Sequence, residues 1–191
     1  MMKRCSWCNE KNPLYVKYHD EEWGVLRTDD KYLFEMLILE SFQAGLSWEC
    51  VLNKRDSFRN AYDDFELAKI IKYDEKKIEE LTKNKDIIRN RLKIKASIKN
   101  AQAFKRIIEE YGSFYDYLKE FTKGKVYYEI EKTTNEISDQ ISIDLKKRGM
   151  SFVGSTIIYS YLQAVGIINS HERNCERCSK DTIIKKESRD S

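Results

Sequence analysis

Thiols and imidazoles crowd the two ends of this 191-residue chain. Four of the five cysteines stand as Cys5-Ser-Trp-Cys8 and Cys175-Glu-Arg-Cys178, and both histidines, His19 and His171, lie beside the same ends. Cys50 stands apart, in an apolar helical context. An odd cysteine count in a chain read as cytosolic argues against a disulfide framework. Soft thiolates with imidazoles at short spacing suit zinc instead. Scattered surface thiols with two incidental histidines are the plain alternative, and the convergence of so much of both types on the termini speaks against it.

Glu40 is the most informative single residue. On a helix, Leu33, Met36, Leu37 and position 40 follow i, i+3, i+4, i+7, so the carboxylate points where the apolar stripe points. Burying a carboxylate among hydrocarbon is costly unless it is paired, and an unpaired one has its pKa raised. Such an acid is a functional-site candidate, and a core glutamate tied to a backbone amide or an arginine is the structural alternative. All three tryptophans, Trp7, Trp23 and Trp48, lie in the first fifty residues with Tyr15 and Tyr18. Aromatic faces near an acid suit a flat, electron-poor or cationic heterocycle, through stacking and cation–π attraction of about 0.5–2 kcal/mol. Ordinary aromatic core packing accounts for the same residues when they are taken alone.

Between Lys83 and Lys95 the cations Lys83, Lys85, Arg89, Arg91, Lys93 and Lys95 face the single acid Asp86, a local excess of five in a chain whose net charge is only +3. The segment falls where a short helix hands over to a long one, so its amides and cations could grip a phosphodiester backbone. A solvated basic turn is the simpler reading of the charge alone.

The elements that must carry these groups are helical. One proline and seven glycines leave little material for the turns of a many-stranded sandwich or barrel. Thr28-Asp29-Asp30 offers a cap for a central apolar helix from Tyr32 through Phe42 that ends at Ala44-Gly45. Ser47 caps a helix from Trp48 to about Tyr62, and Asp64 and Asp74 cap two short ones. Ile94, Ile98, Ala101, Ile108 and Tyr111 mark a long amphipathic helix stopped by Gly112, followed by one from Phe114 to Phe121. The pattern weakens between Thr122 and Glu136, which predicts a surface excursion. Ser138 caps a helix through Lys147, and a last helix runs from Ser155 to Val165. Residues 1–178 read as one domain, and the polar segment 179–191 as a disordered tail.

A 41% hydrophobic fraction excludes a disordered chain. No apolar run approaches the roughly 18 residues of a membrane span, and the first residues lead into polar sequence, so the expectation is a soluble, cytoplasmic monomer with no membrane partner.

Two long motifs carry a resemblance. Pro13-Leu14-Tyr15-x-x-Tyr18-His19-Asp20-x-Glu22-Trp23-Gly24 and Leu39-Glu40-x-x-Gln43-Ala44-Gly45-Leu46-Ser47-Trp48 resemble the DNA-3-methyladenine glycosylase I family. The likeness continues through Ile87-Ile88-Arg89-Asn90-Arg91 and Lys93-Ile94, then Lys146-Lys147-Arg148-Gly149 with Phe152-Val153-Gly154. It closes in Tyr159-Ser160, Gln163-Ala164-x-Gly166 and Asn169-x-His171, and so spans nearly the whole chain in order. It implies an all-α protein of two helical lobes in the helix-hairpin-helix glycosylase superfamily, its termini stapled by one structural zinc ion. The family's zinc ligands fall on Cys5, His19, His171 and Cys175; an all-thiolate set recruiting Cys8 and Cys178 in place of the histidines stays open from the residues themselves. The base-recognition acid falls on Glu40, the stacking aromatic on Trp48 and further pocket tyrosines on Tyr15 and Tyr18, with Trp7 and Trp23 as pocket or adjoining aromatics. Lys83, Lys85, Arg89, Arg91 and Lys93 are the expected DNA-backbone contacts. The hairpin departs from the family pattern, because Lys85-Asp86 and Leu92 occupy positions where small residues are usual.

The resemblance implies a base-excision repair enzyme that binds duplex DNA, extrudes an alkylated base and hydrolyses the N-glycosidic bond of 3-methyladenine, releasing the free base. No lysine is marked by an apolar setting as a Schiff-base nucleophile, so a monofunctional glycosylase is expected. Two rivals from other classes fit parts of the pattern: a zinc hydrolase acting on a small substrate, and a non-catalytic zinc-containing module that binds damaged DNA.

Overall fold

The computed structural model describes residues 2–178; the segment 179–191, read above as a tail, lies outside the described residues. Within them the helices are α1 (Pro13–Glu21), α2 (Asp30–Gln43), α3 (Trp48–Leu52), α4 (Arg55–Ala61), α5 (Leu67–Ile70), α6 (Glu75–Lys83), α7 (Arg91–Tyr111), α8 (Phe114–Thr122), α9 (Glu136–Lys147) and α10 (Ser155–Ala164). A short 3-10 turn, Asp63–Phe65, precedes α5. The fold is mostly helical, as composition predicts, but not purely so. Inside the expected surface excursion, β1 (Tyr127–Tyr128) pairs in parallel with β2 (Ile168–Asn169), with Tyr127 opposite Ile168 and Tyr128 opposite Asn169. The pairing gives backbone groups of an otherwise irregular stretch their partners and ties it to the C-terminal end of the chain.

Local chemistry explains most boundaries. Asp29 accepts from the Tyr32 amide at 2.9 Å to start α2, Ser47 from the Cys50 amide to start α3, and Asn90 from the amides of Leu92 and Lys93 to start α7. Gly112, at φ 91°, ends α7. Three predicted details differ. The helix expected over 48–62 breaks at Asn53-Lys54 into α3 and α4. Asp64 caps nothing and sits at φ 54° in the 3-10 turn. Ser138 is the third residue of α9, whose cap is Asn135; the Ser138 hydroxyl answers the Asn135 amide, completing a reciprocal capping box. Helix α1 was not anticipated. Asn12 caps it and Pro13 opens it, and its i, i+3, i+4 spacing puts Tyr15, Tyr18 and His19 along one side.

Helix α2 is buried from Leu33 to Phe42 on every side and packs against α3, α7, α8 and α10. The N-terminal segment after α1 crosses the end of α10: the Gly24 amide donates to the Gln163 carbonyl and the Arg27 amide to the Val165 carbonyl, each at 3.0 Å. At the crossing, Gly166 has φ +76° and a β-carbon there would lie 2.1 Å from the carbonyl carbon of Val25, so only glycine lets the two segments meet. Among the described residues no helix is long and apolar enough to cross a membrane.

Candidate active site

Two acids of α2 are buried, and their fates differ. Glu35 accepts from Arg55 Nε at 2.6 Å and Arg59 Nε at 2.9 Å, and Arg55 also reaches Glu22 at 2.7 Å. That is the arginine-tied core glutamate of the sequence alternatives, at a position sequence reasoning passed over. Glu40, 2% exposed, has no such partner, and its Oε2 makes no hydrogen bond. Burial alone pushes its carboxyl up to about 8.

Glu40 lies in the wall of a cavity of about 410 Å³ together with Trp7, Tyr15, Tyr18, Trp23 and Trp48, so the aromatic residues singled out in the sequence converge on the acid. Tyr18 and Trp48 meet at a tilt of 45° with ring centroids 5.2 Å apart. Trp7 meets Trp23 edge-on at 4.7 Å and Tyr15 at 5.4 Å. Desolvation holds Tyr18 well above its ordinary value and moves Tyr15 up to about 12, so both phenols stay neutral near pH 7. Trp48 Nε1 is a buried donor without an acceptor. An acid lacking a donor and an indole lacking an acceptor, in one aromatic cavity, match a polar, flat guest rather than a sealed core.

The remaining wall comes from residues that sequence reasoning missed. Gln43 follows Glu40 on α2, Ser160 and Gln163 come from α10, Ile130 and Glu131 from the stretch after β1, and Ser170 and Glu172 from the C-terminal segment. Gln43, Ser160 and Gln163 fell inside the motifs that carry the resemblance, which was their only signal. Glu172 is held by Ser6, whose amide and hydroxyl donate to it at 2.9 and 2.5 Å.

Behind the aromatic wall, Cys5, His19, His171 and Cys175 are all buried, with their ligand atoms within 4.8 Å of one another. Cys5 Sγ to His171 Nδ1, Cys175 Sγ to His19 Nε2 and Cys175 Sγ to His171 Nδ1 are each 3.5 Å. A tetrahedral ion with metal–sulfur bonds of about 2.3 Å and metal–nitrogen bonds of about 2.0 Å needs sulfur–nitrogen edges of about 3.5 Å. The outer ring nitrogens are also occupied: His19 Nδ1 meets Asp20 at 2.8 Å, and His171 Nε2 meets the Trp23 carbonyl at 3.1 Å. Amides of Glu172 and Arg177 donate to the two sulfurs. These partners fix ring tautomer and thiolate orientation as a metal site requires. Cys8 lies outside the cluster, with its sulfur directed at the Tyr15 carbonyl.

The basic segment forms the turn 84–90 between α6 and α7 and the first turn of α7. Its charge is less free than the sequence count suggests. Arg91 pairs with Glu75, Lys95 with Glu75 at 3.6 Å and Lys83 with Glu79 at 3.4 Å. Lys85 and Arg89 are exposed and make no ion pair among the described residues. Lys93 differs from Lys85 and Arg89. It is only 7% exposed, and its ammonium donates to the carbonyls of Phe42 and Ala44 at 2.8 and 2.6 Å. At helical spacing from Asn90, the side chain turns inward onto the end of α2.

A family model described as methyladenine glycosylase matches residues 7–178. DNA-3-methyladenine glycosylase 1 of Escherichia coli is 43% identical over 180 residues, covering 91% of this chain and 96% of that protein. A crystal structure of 3-methyladenine DNA glycosylase I matches with a TM-score of 0.87 at 42% identity, covering 92% of this chain and 99% of that one. The structure of the Staphylococcus aureus 3-methyladenine DNA glycosylase I, described for its recognition of 3-methyladenine, matches with a TM-score of 0.87 at 33% identity, covering 92% and 96% of the two chains.

Proposed function

The chain belongs to the methyladenine glycosylase family, and on that premise we propose that the Glu40 cavity receives the flipped base. The protein is a base-excision repair glycosylase that hydrolyses the N-glycosidic bond of 3-methyladenine in alkylated DNA. The observation that carries the assignment of the pocket is the unpaired buried carboxylate of Glu40 among Trp7, Tyr15, Tyr18, Trp23 and Trp48.

While attached to deoxyribose, N3-methylated adenine is a cation. Extruding it costs a few kcal/mol, and stacking of about 1–3 kcal/mol per base offsets much of that. Trp48 and the tyrosines stack on the base, and Glu40 accepts its hydrogen bonds and balances its charge. When the glycosidic bond breaks, its electron pair returns to the base, which leaves uncharged, and the sugar carbon takes the oxygen of the attacking water, whose proton passes to solvent. The carboxylate therefore favours the charged substrate over a neutral normal base and loses that attraction once the product has formed. A positively charged base is already a good leaving group, so the site needs less acid catalysis than one for neutral bases. Incubation with methylated DNA followed by chromatography of the released base tests the activity; borohydride leaves no covalent DNA adduct if the enzyme is monofunctional.

The α6–turn–α7 unit is our candidate helix-hairpin-helix element, with Lys85 and Arg89 as its phosphate contacts. Replacing both by alanine is expected to weaken binding to alkylated duplex and to lower the salt dependence of log K by about one per residue, with kcat nearly unchanged. A titration at several salt concentrations measures this; an unchanged slope would move the DNA track elsewhere.

Cys5, His19, His171 and Cys175 are proposed to hold one zinc ion. Four protein ligands fill a tetrahedral shell, so the ion's contribution there is structural, joining the two ends of the chain. A closed shell of this kind argues against the zinc-hydrolase reading.

A further inference from the structure

The C-terminal turn of α2 contains no basic residue of its own, although a helix end leaves carbonyls without intrahelical partners and carries partial negative charge. Lys93, from the first turn of α7, supplies the missing cation. Its ammonium lies on the carbonyls of Phe42 and Ala44, 5.8 Å from the centre of the Phe152 ring. Phe42 and Ala44 bracket the pocket residue Gln43, with Glu40 just before them in α2. After them the chain turns at Gly45, with φ +81°, and reaches Trp48 at the start of α3. The two hydrogen bonds thus grip the link between the acid and the stacking indole. The same first turn of α7 is capped by Asn90, next to the exposed Arg89 of the basic turn.

We propose that Lys93 is a positioning residue. It fixes the end of α2 so that Glu40, Gln43 and Trp48 keep the spacing of the base pocket, and it ties that pocket to the element that meets the DNA. The proposal rests on the glycosylase reading and goes beyond it by assigning a buried lysine a role in pocket geometry rather than in phosphate binding.

Lys93→Met keeps the apolar stem and removes the ammonium. It is expected to bind free 3-methyladenine about tenfold more weakly and to excise it from alkylated DNA with kcat about tenfold lower, while the salt dependence of DNA binding stays at the wild-type value. Base affinity and kcat at wild-type levels, with only a lower Tm, would overturn the proposal in favour of a purely structural lysine. A salt slope lowered by about one, with base affinity intact, would overturn it in favour of a phosphate contact. If the methionine variant does not fold, Lys93→Arg decides: a two- to fivefold loss of base affinity at unchanged salt slope supports the proposal, and wild-type values reject it. Wild-type protein assayed alongside separates the two hypotheses, because failure of the wild type to release 3-methyladenine counts against the glycosylase reading alone.

Discussion

Glu40→Gln is expected to be more stable than the wild type at pH 9 and about 100-fold less active. Both effects follow from one buried carboxyl without a partner. In the unfolded chain it titrates near its ordinary 4.5, and in the fold near 8, because burial penalises the ionised form. A raised carboxyl pKa means that the folded state binds the proton more tightly. Its effect is neutral below about pH 4.5, costs stability progressively as pH rises through that window, and levels off above about 8. At about 1.4 kcal/mol per pH unit, the full cost is on the order of 5 kcal/mol, and glutamine removes it. The difference in Tm between variant and wild type should therefore be near zero at pH 4 and large at pH 9. Activity moves the other way. The cationic base needs the ionised form, so wild-type kcat/KM for 3-methyladenine release should climb about tenfold per unit toward pH 8 and then flatten. The glutamine variant, with nothing to titrate there, should give a flat profile. Loss of a charged hydrogen bond in a water-poor pocket, worth about 2–3 kcal/mol, sets the 100-fold figure. A variant that matches the wild type in rate and pH profile would remove Glu40 from base recognition.

How far such a site can be read from sequence depends on how local its determinants are. Helix α7 was legible because apolar periodicity from Ile94 to Tyr111 ends at a glycine, and α2 because an aspartate cap precedes an apolar run. The convergence of Glu40 with Trp48, Tyr15 and Tyr18 was legible through motifs confined to the first fifty residues. Glu35 was not: its partners Arg55 and Arg59 lie a helix away, and periodicity alone does not separate it from Glu40 when the helix is buried on every side. The pocket's far wall escaped for a similar reason. Ile130, Glu131, Ser170 and Glu172 reach the cavity only through the β1–β2 pairing and the crossing at Gly166. The basic turn was overcounted because a window opening at Lys83 omits Glu75 and Glu79, which the handover from α6 to α7 lays against Arg91, Lys95 and Lys83. Lys93 went inward because its direction is set by the cap at Asn90 and by a carbonyl cluster fifty residues away.

Removing the proposed zinc ion should unfold the pocket from behind rather than quench a reaction. His19 and His171 hold the cluster and also buttress the cavity: His171 meets Trp23 edge-on at 4.7 Å, and His19 lies 5.2 Å from Trp7. Without a metal, the four buried ligands keep only their outer hydrogen bonds and sulfur–imidazole contacts of 3.5 Å against their desolvation, and the link between residues 5 and 175 loses its strongest tie. Chelation, or Cys175→Ser, is expected to cost at least about 4 kcal/mol, a fall in Tm of about 10 °C or more for a domain of this size. Tryptophan fluorescence from Trp7 and Trp23 should change in step with the loss of excision, and adding zinc should restore both in the chelated protein but not in the serine variant. A catalytic ion would behave differently, with activity lost while Tm and fluorescence stay in place. Metal analysis of the purified protein supplies the stoichiometry: one zinc per chain is expected, and a metal-free protein of unchanged Tm would show that the four side chains hold together as a hydrogen-bonded cluster alone.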